Sequence, residues 1–285
     1  MGRRRARRNY FTQVEDDGLL SYEIGPWAED KYRRMGMYAE MFSTGMKNAW
    51  DTRVYLDLFS GPGYSRLRGT SRHYLGSPLI ALSLPDPFDR YIFCDASFDA
   101  IEALRTRVSR QWPAVDTRFV PGDANDKIDE IVRNIPSAGR VLSFCFLDPF
   151  KLNIGFETVH MLARGRNVDF LILLALYVDA NRNLDLYVRE ESEVIDRFLG
   201  DRDWRGRWEV AQAERKQFVA FLADEYSRRM EVLGYLPMPL EEMVKIRTHE
   251  RRLPLYYLAF YSRHRRGLDF WKQVREYSSD QLEFM

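Results

Sequence analysis

The stretch Tyr55-Leu56-Asp57-Leu58-Phe59-Ser60-Gly61-Pro62-Gly63 decides how the rest of the chain is read. Residues 54–59 form a mostly apolar run, the pattern of a strand buried on both faces. An acid stands near its end, and a glycine-proline turn follows. Glycine lets the main chain bend sharply and approach a ligand closely. In an open α/β sheet, ligands bind outside the carboxyl ends of the strands, where such turns lie.

Outward from this stretch the same unit recurs. The run 91–94 reads as a strand ending in Asp95, and 98–108 reads as a helix with Ile101, Leu104 and Val108 at helical steps. A strand over 117–120 leads into Gly122-Asp123-Ala124, and a short helix follows over 128–135. The run 141–147, apolar except for Ser143, ends in Asp148-Pro149-Phe150. A helix over 156–163 and a strand over 170–176 complete the alternation. Beyond it, 184–199 and 215–233 read as helices with a polar, Trp-bearing turn over 201–208, and 242–247 and 255–261 read as two late strands. Ahead of it, Gly25-Pro26-Trp27 opens a helix over 27–42, which Gly36 interrupts.

Alternating strands and helices imply a parallel sheet wrapped on both faces, with right-handed crossovers. The expected fold is α/β: a doubly wound, mostly parallel, seven-stranded sheet with an antiparallel C-terminal edge. It forms one domain over 25–285 with a helical insertion near 184–234. A basic, flexible arm over 1–24 precedes it.

Four strand ends then carry candidate chemistry. Asp57, Phe59, Gly61 and Gly63 form the first turn. Asp95 can accept hydrogen bonds from ribose hydroxyls, although an insertion holding Gly76-Ser77-Pro78 separates it from Gly63 by more than the usual spacing. Asp123, beside Ala124, can take an exocyclic amine, while Asp95, Ser97, Asn125 or Asp126 can equally cap a helix. Asp148 can orient a nucleophile, Pro149 stiffens its turn, and Phe150 offers a flat substrate a stacking face. A nicotinamide site is disfavoured, because Arg66 stands where the third glycine of Gly-x-Gly-x-x-Gly would pack.

Composition excludes several classes. Hydrophobic residues make up 45% of the 285, enough for a large core. No run approaches the ~18–20 consecutive apolar residues of a membrane span, and the Arg-rich start lacks a signal peptide's apolar stretch, so a cytoplasmic location is expected. Cys94 and Cys145 lie in apolar runs as core residues, and the four histidines lack zinc spacing. Net charge is +1, and removing the five charges of Arg3, Arg4, Arg5, Arg7 and Arg8 leaves −4 for the body. The arm fits either phosphate binding or a solvated terminus. Arg263, Arg265 and Arg266, with the aromatics Trp204 and Trp208, fit either a nucleic-acid surface or an ordinary one.

Taken in order, Asp57 to Gly63, Gly76-Ser77-Pro78, Gly122-Asp123-Ala124-Asn125 and Phe146-Leu147-Asp148-Pro149-Phe150 resemble the three-Cys-motif partner proteins, TcmP. Gly25-Pro26-Trp27-Ala28 and Asn181-Arg182-Asn183-Leu184 fit the same family. The resemblance implies a Rossmann-like methyltransferase fold that binds S-adenosylmethionine. It also implies a radical-SAM-like partner that carries the three cysteines; together with the basic clusters, the expected function is a methyltransferase acting on or with nucleic acid in phage defence or DNA repair. On this reading Asp57 and the turn hold the methionine end, Asp95 the ribose and Asp123 the adenine. Asp148-Pro149-Phe150 is also similar to the Asp-Pro-Pro-aromatic motif of amino-methyltransferases, with one proline missing. The alternative is a metal-dependent nuclease or a non-catalytic nucleic-acid-binding subunit, with Mg2+ or Mn2+ on Asp57, Asp123 and Asp148. Oligomeric state is left open.

Overall fold

A computed structural model describes residues 8–248 and 252–282, the side chains of 277–282 excepted. Its strands are β1 (Gln13–Val14), β2 (Tyr22–Ile24), β3 (Thr52–Asp57), β4 (Tyr64–Leu67), β5 (His73–Leu75), β6 (Arg90–Asp95), β7 (Thr117–Pro121), β8 (Val141–Leu147), β9 (Asn167–Leu174), β10 (Val244–Arg247) and β11 (Pro254–Tyr261). Its α-helices are α1 (Ala28–Met46), α2 (Ser77–Leu82), α3 (Phe98–Gln111), α4 (Ile128–Asn134), α5 (Phe156–Ala163), α6 (Leu184–Tyr187), α7 (Val194–Leu199), α8 (Trp204–Ala213), α9 (Phe218–Val232) and α10 (Arg265–Leu282).

The main sheet has seven strands in the order β10-β11-β9-β8-β3-β6-β7. β3 is flanked by β8 and β6, and these pairs, with β6–β7 and β8–β9, are parallel. β11 runs antiparallel to β9, and β10 antiparallel to β11. This is the mostly parallel, seven-stranded sheet of the methyltransferase type. The antiparallel strand lies one position in from the edge, because the hairpin folds back to leave β10 outermost.

Strand alternation distributes the core between two layers. Phe144 and Asp169 are register partners, as are Tyr55 and Phe144, and this face meets α1 through Tyr38. The next pair, Cys145 and Phe170, points the other way, where the Tyr235 ring lies 5.6 Å from Phe170. α1 tolerates Gly36 for a steric reason: a Cβ there would meet the Tyr10 ring at 2.5 Å. Tyr10 also donates to Glu40 Oε2 at 2.9 Å.

That contact begins a correction. Residues 8–24 are built into the fold, not a flexible arm. β1 pairs with β5, β2 with β4, and the β4–β5 hairpin completes a second sheet of four strands. This sheet is what the insertion after Gly63 builds. Arg107 of α3 clamps the same segment from inside, donating to both Asp17 carboxylate oxygens (2.8 and 2.6 Å) and to the Leu20 carbonyl (2.8 Å). Arg3, Arg4, Arg5 and Arg7 lie outside the described residues.

The helical insertion also differs in detail. The stretch 184–199 breaks into α6 and α7, and the expected polar turn over 201–208 is the start of α8. Trp204 and Trp208 are buried there, not presented to a ligand. Phe218 and Phe221 pack on the Trp208 ring at 4.9 and 5.2 Å, and Trp204 donates its indole N–H to Asp196 at 2.7 Å. Among the described residues no helix is long and apolar enough to cross a membrane. Cys94 and Cys145 are buried free thiols.

Candidate functional site

The acid-bearing ends of β3, β6, β7 and β8 lie on one edge of the sheet, as their parallel pairing requires. Their side chains have very different access. Asp57 is fully enclosed. Its carboxyl receives Tyr55 Oη–H at 3.2 Å and the Phe59 N–H at 3.4 Å, with the Ser77 hydroxyl as a further partner. Burial, with the nearby charge of Asp148 adding to it, pushes the group up to about 7. Asp57 is therefore an internal strut beneath the turn. Its carboxyl, expected to hold the methionine end of a ligand, is turned into the interior in this structure.

The turn itself is stiffly held. Gly61 and Gly63 have φ of +59° and +89°, where side chains are strained. A Cβ on Gly63 would also meet Leu104 Cδ1 at 2.8 Å. The Gly76 N–H bonds the Gly63 carbonyl at 2.7 Å, which closes the β4–β5 hairpin onto the turn and starts α2 at Ser77. Arg107 donates to the Pro62 carbonyl at 2.5 Å. Phe59 is partly buried and packs against the core.

Asp95 joins the turn to the next helix. Its Oδ2 accepts the Gly61 N–H at 2.8 Å, and its Oδ1 accepts the Ser97 N–H at 2.9 Å. Tyr22 from β2 places its hydroxyl 3.3 Å from Oδ1. Ser97 takes the N-cap of α3, bonding the Ala100 N–H. Asp123, by contrast, is exposed. Its Oδ1 takes the Asn125 main-chain and side-chain N–H groups, both at 2.8 Å. Its Oδ2 has no hydrogen bond among the described residues. Ala124 is buried. Asn125 continues across to the loop after β8, with Oδ1 accepting from Gly155 N and Thr158 Oγ1 at 2.8 Å each.

Asp148 is occupied by a residue the sequence reading did not single out. Lys31 Nζ, from the first turn of α1, lies 2.5 Å from its Oδ2, and both side chains are nearly buried. Burial alone would push the Lys31 ammonium down, but the Asp148 carboxylate more than reverses that. Lys31 also lies over the Tyr32 ring at 4.6 Å. Tyr256 of β11, half-buried, stands close enough to feel the charges of Lys31, Asp148 and Arg182. Pro149 is buried, whereas Phe150 is 66% exposed.

A second unforeseen carboxylate fixes this loop. β9 runs into a π-helical turn over Leu176–Ala180, and its Asp179 accepts the Leu152 N–H at 2.8 Å. Asn183 and Tyr187 donate to the other oxygen at 2.9 and 2.7 Å. Asn183 thus secures Asp179, and the 148–152 loop is tied to the segment carrying Tyr177. Tyr177 stacks on Tyr257 at 5.7 Å, with Lys245 above both rings.

The metal alternative fails on geometry. Among the described residues no three His, Cys, Asp or Glu side chains converge to hold an ion. Asp57, Asp123 and Asp148 are a strut, an exposed acceptor and one half of an ion pair, so Mg2+ or Mn2+ has no common centre there.

The basic residues proposed for nucleic acid lie elsewhere. Tyr261, the last residue of β11, pairs with Phe170 near the start of β9, which puts Arg263, Arg265 and Arg266 at the amino edge of the parallel strands. A strand of this length separates the two edges by about 20 Å. Arg263 uses its guanidinium on the Leu233, Arg166 and Ala163 carbonyls. Arg8 is exposed, donates to the Ser83 carbonyl and lies 3.9 Å from Glu40.

No protein-family model matches the sequence, and no curated protein does. Among solved structures, the chain is similar to an O-methyltransferase from Bacillus cereus in complex with SAH. The identity is 11%, 86% of this chain and 84% of that one are covered, and the TM-score is 0.46. It is also similar to Trm1 from Pyrococcus horikoshii with S-adenosyl-L-methionine, at 12% identity over 84% of this chain and 58% of that one, with a TM-score of 0.41. Matches this distant add no weight to the site. The architecture rests on the strand order, and that order makes this chain an α/β protein with a methyltransferase-type fold.

Proposed function

We propose that this protein binds S-adenosylmethionine and acts as a methyltransferase on or with nucleic acid. In the finer reading it is a TcmP-like protein working beside a three-Cys, radical-SAM-like partner in phage defence or DNA repair. The observation that carries the cofactor reading is Asp95. Two main-chain N–H groups fix its carboxylate at the end of the strand beside β3, and its side-chain partner, Tyr22, is held by one long hydrogen bond. A ribose hydroxyl can take the place of that phenol. Asp123 is exposed with one oxygen unbonded, which suits the exocyclic amine of an adenine. The turn main chain at Gly61 and Gly63 supports the remaining, methionine end.

When bound, S-adenosylmethionine supplies an electrophilic methyl group. The chain's own residues then have distinct tasks. Lys31 works against the upward push that burial gives the Asp148 carboxyl, and Asp148 Oδ1, free of hydrogen bonds among the described residues, can accept a proton-bearing nucleophile. Phe150 offers an aromatic face beside it. The nucleic-acid reading now draws on this rim rather than on Arg263 to Arg266. Lys151, Arg182 and Arg247 are exposed, and Lys245 with Tyr177 adds a cation and a ring. Cations interleaved with aromatics suit a single strand, whose phosphates meet the charges while its bases stack.

Calorimetry with S-adenosylmethionine and with its demethylated product tests the cofactor reading. Binding is expected, and Asp95→Ala weakens it by about tenfold or more, since charge-assisted hydrogen bonds are the strong ones. No heat with either compound would end the proposal.

A further inference from the structure

A cavity lies at the amino edge of the same sheet, remote from Asp95. It has a volume of about 340 Å³, within the span of small-molecule sites. Phe42 and Met46 of α1, Trp50 and Phe270 of α10 give it an apolar lining. Its polar lining comes from Asn167, Asp169 and the turn that runs from Ser262 to Gly267.

These polar groups differ in how far they are already committed. Asp169 is buried and accepts Tyr38 Oη–H at 2.7 Å, with the Ser262 hydroxyl as a second partner. Burial pushes it up to about 6, and the Tyr38 and Ser262 hydroxyls already occupy its oxygens. Arg263 is taken by main-chain carbonyls. Arg266 is different. It lines the cavity, is exposed, and its guanidinium has no partner among the described residues. Its own N–H bonds His264 Nδ1 at 3.1 Å, so a neutral His264 ring carries its proton on Nε2 and can donate from there. Gly267 lets the wall close up: a Cβ there would collide with Ser262 Oγ and come within 3.2 Å of Asp169 Oδ2.

We propose that this cavity binds a small apolar monocarboxylate, its hydrocarbon body among Phe42, Met46, Trp50 and Phe270 and its carboxylate on Arg266 and His264. An apolar lining that also holds the Arg266 and His264 donors suits such a ligand in polarity and charge. A carboxylate on Arg266 forms a charge-assisted pair, which an alcohol or an amine of the same length cannot.

The test is a titration of the full-length protein with octanoate, octanol and octylamine, followed by calorimetry and by tryptophan fluorescence. Octanoate is expected to bind saturably, at least about tenfold more tightly than octanol or octylamine. Trp50→Phe removes the fluorescence change, which locates the ligand. Arg266→Ala lowers octanoate affinity about tenfold and leaves octanol unchanged. The residue is exposed, so this variant keeps its fold, and a thermal melt verifies it. Ala49→Trp, at the exposed rim, weakens octanoate and octanol together. Asp95→Ala leaves octanoate binding intact, so the outcome is separate from that of the cofactor proposal. No saturable binding, a preference for octylamine, or indifference to Arg266→Ala overturns the assignment.

Discussion

At the carboxyl edge of the sheet Asp148 meets an ammonium ion. At the amino edge Asp169 meets a phenol and a serine hydroxyl. Both carboxyls sit against α1, through Lys31 and Tyr38, and both are largely shielded from water. The difference lies in what compensates the lost hydration. A buried carboxylate must find an opposite charge or tend toward its protonated form. Asp148 is paired with Lys31, which offsets part of the upward push that burial gives its carboxyl. Asp169, held up at about 6, and Asp57, at about 7, tend toward the protonated form. Each edge also has an arginine working on carbonyls. Arg107 is almost wholly enclosed and fastens the N-terminal segment to the Pro62 turn, whereas Arg263 is exposed and fastens the ends of α5 and α9.

The largest effect expected from this contrast is at Lys31. Lys31→Met leaves Asp148 buried without its cation, and breaking a buried pair in this way costs about 3–5 kcal/mol. The loss is read by urea denaturation. The double variant Lys31→Met, Asp148→Asn removes both charges and recovers most of the stability. A single-variant loss of less than about 1 kcal/mol, the level of a surface pair, would place Lys31 in solvent and erase the distinction between the edges.

How much of this was legible in the sequence follows from the range of the interactions. The strand over 141–147 and the helix over 156–163 sit where their apolar patterns place them, because burial on a sheet face is written in consecutive residues. The acids at the strand ends were equally visible. Lys31 was not, since its partner is 117 residues away and a lysine in a first helical turn reads as solvated. Tyr22 and Tyr256 reach the site from other strands, and no local signal reports that. The small sheet escaped because its strands are two to four residues long, too short for alternation to declare itself. α8 was hidden by its charges, and Trp204 and Trp208 were misplaced because a polar neighbourhood does not say where an aromatic ring points.

A smaller effect distinguishes the two ways of holding a carboxyl. Asp57 has a folded pKa of about 7, above the ordinary range of an unfolded aspartate near 4. Between those values the folded state holds a proton that the unfolded state has released, so stability falls as pH rises through that window and levels off above it. Asp57→Asn cannot ionise and lacks this slope. The melting temperature of Asp57→Asn minus that of the native protein should therefore climb from pH 4 to pH 7 and then stay flat. A difference independent of pH would show that burial does not raise the Asp57 carboxyl.

The smallest stability change belongs to Phe150, and it separates site from scaffold. Its ring is 66% exposed, while its backbone is fixed on either side by buried Pro149 and by the Leu152 bond to Asp179. Truncating an exposed side chain on a loop held by its neighbours changes stability by no more than about 0.5 kcal/mol. Function should respond differently, because a stacked base contributes about 1–3 kcal/mol through a ring of this kind. Phe150→Ala should keep its melting temperature yet bind a fluorescent single-stranded oligonucleotide about tenfold more weakly or worse. A variant that unfolds early would mean that the ring closes the loop against the core. One that melts and binds like the native protein would move the nucleic-acid contact away from Asp148 and leave Lys151, Arg182 and Lys245 as solvated charge.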